Sequence, residues 1–172
     1  MKKVGELAKK YGAVWIIDET HTISAGVGGM TKQFGLKPDM LTIGKSIGGG
    51  IPTGTFGMTK DVSDRIKAKV ERSIVDTGGI GSTLAGNALS FAAMRATLSE
   101  VLNESNFAHM ISLGDRWSDG VDSVIKEFNL PWHCNRLGAR GEYLFQKSAP
   151  KDRKSTRLNS SHVKRSRMPS SA

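Results

Sequence analysis

The sequence predicts an α/β protein in which helices surround a sheet with parallel strands, and three observations support this fold class. Of the 172 residues, 38% are hydrophobic and 20 are glycine, a composition typical of a globular protein with many tight turns. The segment Ala13 to Ile17 is continuously apolar, as in a strand covered on both faces, and Met40 to Ile43 predicts a second short buried strand. Segments around and after them carry apolar residues at helical spacing, which predicts layers of helices.

The other elements follow from periodicity and turn residues. An amphipathic helix is predicted from Lys2 to Tyr11 with Gly12 as its C-cap, and the glycines between Gly26 and Gly35 predict a loop. The later predictions are a strand over Thr53 to Met58, a surface helix over Lys60 to Arg72, helices over Thr83 to Asn103 and Asn106 to Phe128, and a strand or hairpin over Leu137 to Phe145.

Two charged residues lie at the predicted carboxyl ends of the apolar strands. Asp18 follows the first strand directly, and Lys45 follows the second after Gly44. Ligands of open α/β sheets bind beyond the carboxyl ends of the strands, so both side chains are candidates for a functional site. We expect Lys45 to be partly buried, because burial keeps an amine neutral and nucleophilic near pH 7.

Lys45 is open to two cofactor interpretations. Gly44 to Ser46 matches the end of a phosphate-binding P-loop, but the pattern needs a glycine at position 39, which is Asp39. A Schiff-base lysine for pyridoxal phosphate fits better, because Asp18 offers a buried carboxylate to the ring nitrogen. Gly81 to Thr83 opens a long predicted helix, whose free N–H groups favour the phosphate. Each residue alone also has an ordinary structural explanation, as a cap or a solvated side chain.

The segments IIDETHTISAGVGGMTKQFGLKPDMLTIGKSIGGGIPTGTFGM (16–58) and GSTLAGNALSFAAMRATL (81–98) closely resemble class III aminotransferases, particularly the branch related to glutamate-1-semialdehyde aminomutase. The resemblance implies part of the large domain of a fold-type-I transferase that uses pyridoxal 5′-phosphate. It assigns Lys45 as the catalytic lysine that forms the Schiff base and Asp18 as the acid at the pyridine nitrogen. His21 is implied near the phenolic oxygen, and Ser82 and Thr83 at the phosphate, with Thr83 reaching the neighbouring subunit's cofactor.

The activity implied by this resemblance is transamination, the transfer of an amino group between an amine or amino acid and an oxo acid or aldehyde. Lys45 would act as general base and acid. The alternatives are an intramolecular aminomutase that uses the same residues and a catalytically inert dimerisation fragment. The resemblance also implies a homodimer in the full-length parent.

The same resemblance predicts the domain organisation. We expect residues 1–128 to be part of the cofactor-binding large domain with long connecting helices, and 129–151 to begin a small carboxyl-terminal domain. Family members are far longer, and the part before residue 1 normally supplies a phosphate loop and a ring-stacking aromatic residue. The chain is therefore expected to be an internal fragment of a longer protein.

The net charge of +9 is concentrated in residues 152–172, which hold six basic residues and one acidic residue. Such a segment, poor in apolar residues, predicts a disordered basic arm. However, DRKSTRLNSSH and SRMPSSA within it resemble one reading frame of a widely used sequencing-library adapter. We interpret 152–172 as a disordered artefactual tail, and the alternative is an arm that binds nucleic acid.

Composition argues against several other classes. No apolar run approaches the roughly 18 residues of a membrane span, and Glu6, Lys9 and Lys10 lie where a signal peptide needs apolar residues. The single cysteine, Cys134, cannot form an internal disulfide, and with the four histidines it gives no zinc-ligand spacing. We expect a cytoplasmic protein that binds small-molecule amino donors and oxo acceptors, and neither membrane, nucleic acid nor metal.

Overall fold

The structure is a computed structural model that describes residues 1–70 and 85–148. The chain divides into two compact units, Met1–Ile111 and Ser112–Ala172. The first unit contains most of the regular elements, and the second contains the larger part of the helix Glu104–Glu127 and a hairpin. The domain limits expected from the sequence, at 128 and 151, stay predictions.

Five helices and five strands have these bounds in the described residues: α1 (Lys2–Lys10), β1 (Ile16–Asp18), α2 (Gly29–Gln33), β2 (Met40–Gly44), β3 (Gly54–Met58), α3 (Lys60–Val70), α4 (Ala88–Ala96), α5 (Glu104–Glu127), β4 (His133–Leu137) and β5 (Arg140–Leu144). Short 3₁₀ turns follow β1 and β2 over Thr22–Ala25 and Lys45–Gly48, and a π turn over Thr97–Val101 follows α4. The strands predicted at 13–17, 40–43 and 53–58 and the helices predicted at 2–11 and 106–128 are therefore confirmed, with ends shifted by a few residues. The surface helix predicted at 60–72 is confirmed as far as Val70, where the described residues end.

The sheet of the first unit has the order β1-β2-β3. Strand β1 runs parallel to β2 with Asp18 opposite Thr42, and β2 runs antiparallel to β3. The backbone N–H of Glu19 extends the parallel ladder by donating to the Thr42 carbonyl at 2.8 Å. Parallel pairing brings the carboxyl ends of β1 and β2 to one edge of the sheet, so the residues that follow both strands meet there.

The expectation that the first strand is covered on both faces is wrong. Ile17 is 4% exposed, whereas its neighbour Ile16 is 53% exposed. Side chains alternate across a strand, so β1 buries the Ile17 face, while the Ile16 face is open among the described residues. An apolar run does not show whether one or both faces of its strand are buried, because burial depends on packing from elements that are distant in the chain.

The predicted loop between Gly26 and Gly35 contains the short helix α2. Its first free N–H groups are bound by the side chain of Glu19, which lies ten residues before the helix. A five-residue helix is too short to be stable alone. The sequence pattern could not predict α2, because its stabilising partner is distant in the chain.

The helix predicted from Thr83 begins later, at Ala88. Gly86 has φ +73°, and the Asn87 side chain accepts a hydrogen bond from the Ser90 N–H at 2.9 Å. A left-handed glycine followed by an asparagine N-cap is a strong start signal, so the chain turns before the helix. Ser82 and Thr83 lie outside the described residues.

In the second unit, the antiparallel strands β4 and β5 form the expected hairpin, which begins at His133 rather than Leu137. The Arg136 guanidinium binds Asp119 at 2.9 Å and Asp122 at 3.0 Å, both on α5. These hydrogen bonds, chiefly the one to Asp119, raise the pKa of Arg136. The hairpin is thus held to α5 by charged groups, and the Trp117 ring of α5 also lies 6.4 Å from the Tyr143 ring of β5.

In residues 1–70 and 85–148, no helix combines enough length with enough apolar character to cross a bilayer.

Candidate active site

The sheet edge where β1 and β2 end brings together three of the predicted site residues, Asp18, His21 and Lys45. The Lys45 Nζ lies 2.9 Å from the His21 Nε2. Both Lys45 and His21 act electrostatically on the Asp18 carboxylate. An amine, an imidazole and a carboxylate therefore share one edge of the sheet, as the parallel pairing of the strands requires.

Asp18 is exposed and ionised rather than buried, which corrects the expectation of a buried carboxylate. The Thr20 backbone N–H donates to its Oδ1 at 2.8 Å. Hydrogen bonds from the Thr20 side chain and backbone hold the pKa of Asp18 below its ordinary value, and the charges of Lys45 and His21 lower it further. These contacts keep the carboxylate anionic, so it is suited to pair with a protonated ring nitrogen.

Lys45 has an unusual backbone conformation, with φ +50°. Residues with a side chain avoid this left-handed region, and strained residues that a fold retains cluster at functional sites. Its side chain is exposed, so the expectation of a partly buried amine is wrong. The amine instead meets a polar neighbour, the His21 imidazole.

The turn that carries Lys45 is anchored by the residues after it. Ile47 is completely buried, and Gly48 is buried beside Thr53. A side chain at Gly48 would overlap the Thr53 hydroxyl group, so the position requires glycine. This anchor holds the lysine turn against the start of β3.

Glu19 is a central residue of this region that the sequence reasoning did not single out. It is 1% exposed, and its carboxylate accepts hydrogen bonds from the backbone N–H groups of Met30 at 3.1 Å and Thr31 at 2.5 Å. The hydroxyl groups of Thr22 and Thr31 also donate to it. Its only sequence signal is its place next to Asp18 after an apolar run, and nothing local shows that its partners lie at 30 and 31.

The remaining predicted residues lie elsewhere. Ser82 and Thr83 are outside the described residues, so their predicted role at a phosphate stays a prediction. Arg140 on β5 forms an ion pair with Glu142. A large cavity of about 770 Å³ in the second unit is lined by apolar side chains such as Trp117, Val121 and Trp132, and none of the described residues that line it is a lysine or a carboxylate.

The three grouped side chains suit a cofactor with an aldehyde and a basic ring. An accessible primary amine can condense with a carbonyl carbon. A carboxylate whose pKa is lowered favours a protonated heterocycle, and an imidazole can exchange a hydrogen bond with a phenolic oxygen. The groups present in the structure therefore fit pyridoxal phosphate.

Comparisons with known proteins agree with this chemistry. The family model for "Aminotransferase class-III" matches residues 1–145. The glutamate-1-semialdehyde 2,1-aminomutase of Thermus thermophilus is 37% identical over 135 residues, which are 77% of this chain and 30% of that protein.

Solved structures are similar as well. A substituted glutamate-1-semialdehyde-aminomutase from Pseudomonas aeruginosa PAO1, in complex with PMP, has a TM-score of 0.80 and 43% identity, covering 86% of this chain and 33% of its own. The taurine:2-oxoglutarate aminotransferase from Bifidobacterium kashiwanohense, in complex with PLP and glutamate, has a TM-score of 0.67 and 26% identity, covering 82% and 31%.

The chain spans about a third of the length of the relatives it matches. The family match nevertheless extends over most of this chain, and it includes both strand ends that carry the grouped side chains. By this match, the chain belongs to the class-III aminotransferase family.

Proposed function

We propose that this chain carries the lysine-bearing part of an active site that uses pyridoxal 5′-phosphate to transfer an amino group between an amine or amino acid and an oxo acid or aldehyde. The observation that carries the proposal is the position of the Lys45 amine, 2.9 Å from His21, at the same sheet edge as the anionic Asp18. Relatives solved with PMP and with PLP support the choice of cofactor.

Each proposed site residue has a role that follows from the chemistry of its side chain. When bound, pyridoxal phosphate supplies an aldehyde for an amine and a ring that takes up electrons from a breaking bond. Asp18 would pair with the ring nitrogen and favour its protonated form. Lys45 would hold the cofactor at its aldehyde carbon, with the aldehyde oxygen leaving as water, and its Nζ would hold or return the substrate's proton, while His21 would hydrogen-bond the phenolic oxygen. Ser82 and Thr83 are proposed to hold the phosphate.

A second candidate function is an intramolecular aminomutase. It is favoured by relatives of that name at 37% and 43% identity. An aminomutase returns the amino group to the same carbon skeleton, so it consumes no separate acceptor. Turnover of an amino compound in the absence of any added oxo acid or aldehyde would support the aminomutase, and a strict requirement for the acceptor would support transamination.

We further propose a homodimer located in the cytoplasm. The dimer is supported by the implied reach of Thr83 to the cofactor of the neighbouring subunit. The location is supported by the single cysteine, Cys134, since disulfide-rich composition is typical of oxidising compartments.

The cofactor proposal predicts that added pyridoxal phosphate gives the visible absorption band of an imine with this chain. Lys45→Ala should lose the band, because no other amine lies beside the Asp18 carboxylate among the described residues. Lys37→Ala, at an exposed position before β2, is the matched control and should keep it. Equal bands in wild type and Lys45→Ala would contradict the proposal.

A further inference from the structure

On the basis of the proposed function, we infer that Glu19 is a positioning residue of the active site. Its buried carboxylate fixes the segment 18–31, which carries both Asp18 and His21, and thereby sets their geometry relative to Lys45. Glu19 itself contacts none of the reacting atoms in this assignment.

Both carboxylate oxygens of Glu19 accept two hydrogen bonds each. Its Oε2 accepts from the Thr22 hydroxyl at 2.5 Å and from the Met30 N–H at 3.1 Å. Its Oε1 accepts from the Thr31 N–H at 2.5 Å and from the Thr31 hydroxyl. Four donors thus serve two oxygens of a group that is 1% exposed. An ionised carboxylate that is buried needs such donors to offset its lost hydration.

The space around the carboxylate is also fitted to it. A Cβ atom at Gly29 would lie 2.5 Å from the Glu19 Oε2, and Gly29 has φ +62°. A glycine is required there both by the backbone conformation and by the close approach of the oxygen. The backbone at Gly29 therefore leaves room for the Glu19 carboxylate, which indicates that this side chain is required as a hydrogen-bond acceptor and does not merely fill space.

Glu19 connects directly to the grouped side chains. Its own backbone N–H donates to the Thr42 carbonyl on β2 at 2.8 Å, and its carbonyl accepts from the Ile23 N–H at 2.9 Å. Asp18 precedes it, and His21 lies within the turn closed by that second bond. Lys45 comes from the other strand, so loss of the Glu19 carboxylate should displace His21 and Asp18 without moving Lys45.

The test compares Glu19→Gln with wild type and with Glu6→Gln, an exposed control on α1. Nitrogen NMR of the His21 ring is recorded without cofactor, each time with and without the additional change Lys45→Ala. In wild type and in Glu6→Gln, removal of Lys45 should shift the His21 ring signals, because Lys45 Nζ contacts Nε2. In Glu19→Gln this shift should fall at least twofold, since the ring no longer meets the amine.

A purely structural role for Glu19 gives a different result. Glu19→Gln would then lower the unfolding temperature but leave the His21 shift caused by Lys45→Ala unchanged in the folded protein, and that outcome overturns the inference. If Glu19→Gln does not fold, Thr31→Val removes one donor and keeps the carboxylate. A folded Thr31→Val protein should show a smaller loss of the same shift, and an unchanged shift again overturns the inference.

The cofactor gives an independent second readout. Glu19→Gln should weaken pyridoxal phosphate binding, measured as the concentration that gives half of the imine absorption, by about tenfold or more, whereas Glu6→Gln should not. If wild type forms no imine while the NMR shift still depends on Glu19, the proposed function fails and the positioning role stands. If the imine forms equally well in Glu19→Gln and the shift is unchanged, only the positioning role fails.

Discussion

At the residue scale, the backbone of Lys45 adopts a conformation that is unfavourable for a residue with a side chain but that places its amine at the edge of the sheet. A left-handed conformation costs a residue with a side chain about 1–2 kcal/mol. The fully buried Ile47 and the close approach of Gly48 to Thr53 hold the turn in that conformation. The amine is thereby directed to the edge where β1 ends.

The contact between Lys45 and His21 joins the amine to one nitrogen of the imidazole, with the Lys45 Nζ 2.9 Å from the His21 Nε2. A lysine ammonium has three donors and no acceptor, so it can share a hydrogen bond here only with a neutral ring whose Nε2 accepts. This contact also makes the His21 ring a sensitive reporter of the Lys45 position.

Asp18 gives a pH-dependent prediction at the same scale. Its pKa in the folded state lies below the ordinary value of 3.8, chiefly because of the hydrogen bonds from Thr20. A lowered folded-state pKa adds stability at pH values above the ordinary one, and this contribution is lost as the pH falls through the folded-state pKa. Asp18→Asn should therefore be less stable than wild type near neutral pH, and the difference should disappear in strong acid.

Urea unfolding of both proteins across this pH range measures the effect. Glu6→Gln, which changes an exposed carboxylate on α1, is the control and should not reproduce the acid-dependent difference. A stability difference for Asp18→Asn that is the same at all pH values would contradict the assigned cause.

At the element scale, the pairing of β1 with β2 creates the site. Two short strands with few buried side chains suffice, because parallel pairing alone places their carboxyl ends together. The short helix α2 then returns to the Glu19 carboxylate after β1. The site thus depends on one ladder of hydrogen bonds and one buried acceptor.

The same elements show what the sequence could predict. The apolar runs before Asp18 and Lys45 predicted both strand ends correctly, because strand formation there follows local composition. Helix α2 was missed, since its partner Glu19 is distant in the chain. The expected burial of Asp18 and Lys45 was wrong, because burial depends on packing from elements that a local pattern does not describe.

The start of α4 supplies a prediction for an element boundary. The Asn87 side chain accepts from the Ser90 N–H at 2.9 Å, and loss of such an N-cap costs about 1 kcal/mol. Asn87→Ala should lower the free energy of unfolding by about that amount, whereas Asn87→Ser should keep most of it. Thermal or urea unfolding of the three proteins decides this, and equal losses for both variants would contradict the capping role.

At the scale of the whole molecule, the chain matches about a third of the length of its relatives, and it carries the sheet edge at which we propose the lysine-bearing part of the active site. The amine, the carboxylate and the imidazole all come from the first unit, Met1–Ile111. Chemistry at Lys45 can therefore be tested directly on this chain, while turnover, substrate choice and dimerisation are properties to test on the longer protein.

The most direct test of the central claim is to trap the bond between chain and cofactor. The chain is incubated with pyridoxal phosphate, reduced with borohydride to make any imine permanent, digested, and mapped by mass spectrometry. The phosphopyridoxyl group is expected on Lys45 well above its level on exposed lysines such as Lys32 and Lys37. Label spread evenly over the lysines, or concentrated on a lysine other than Lys45, would contradict it.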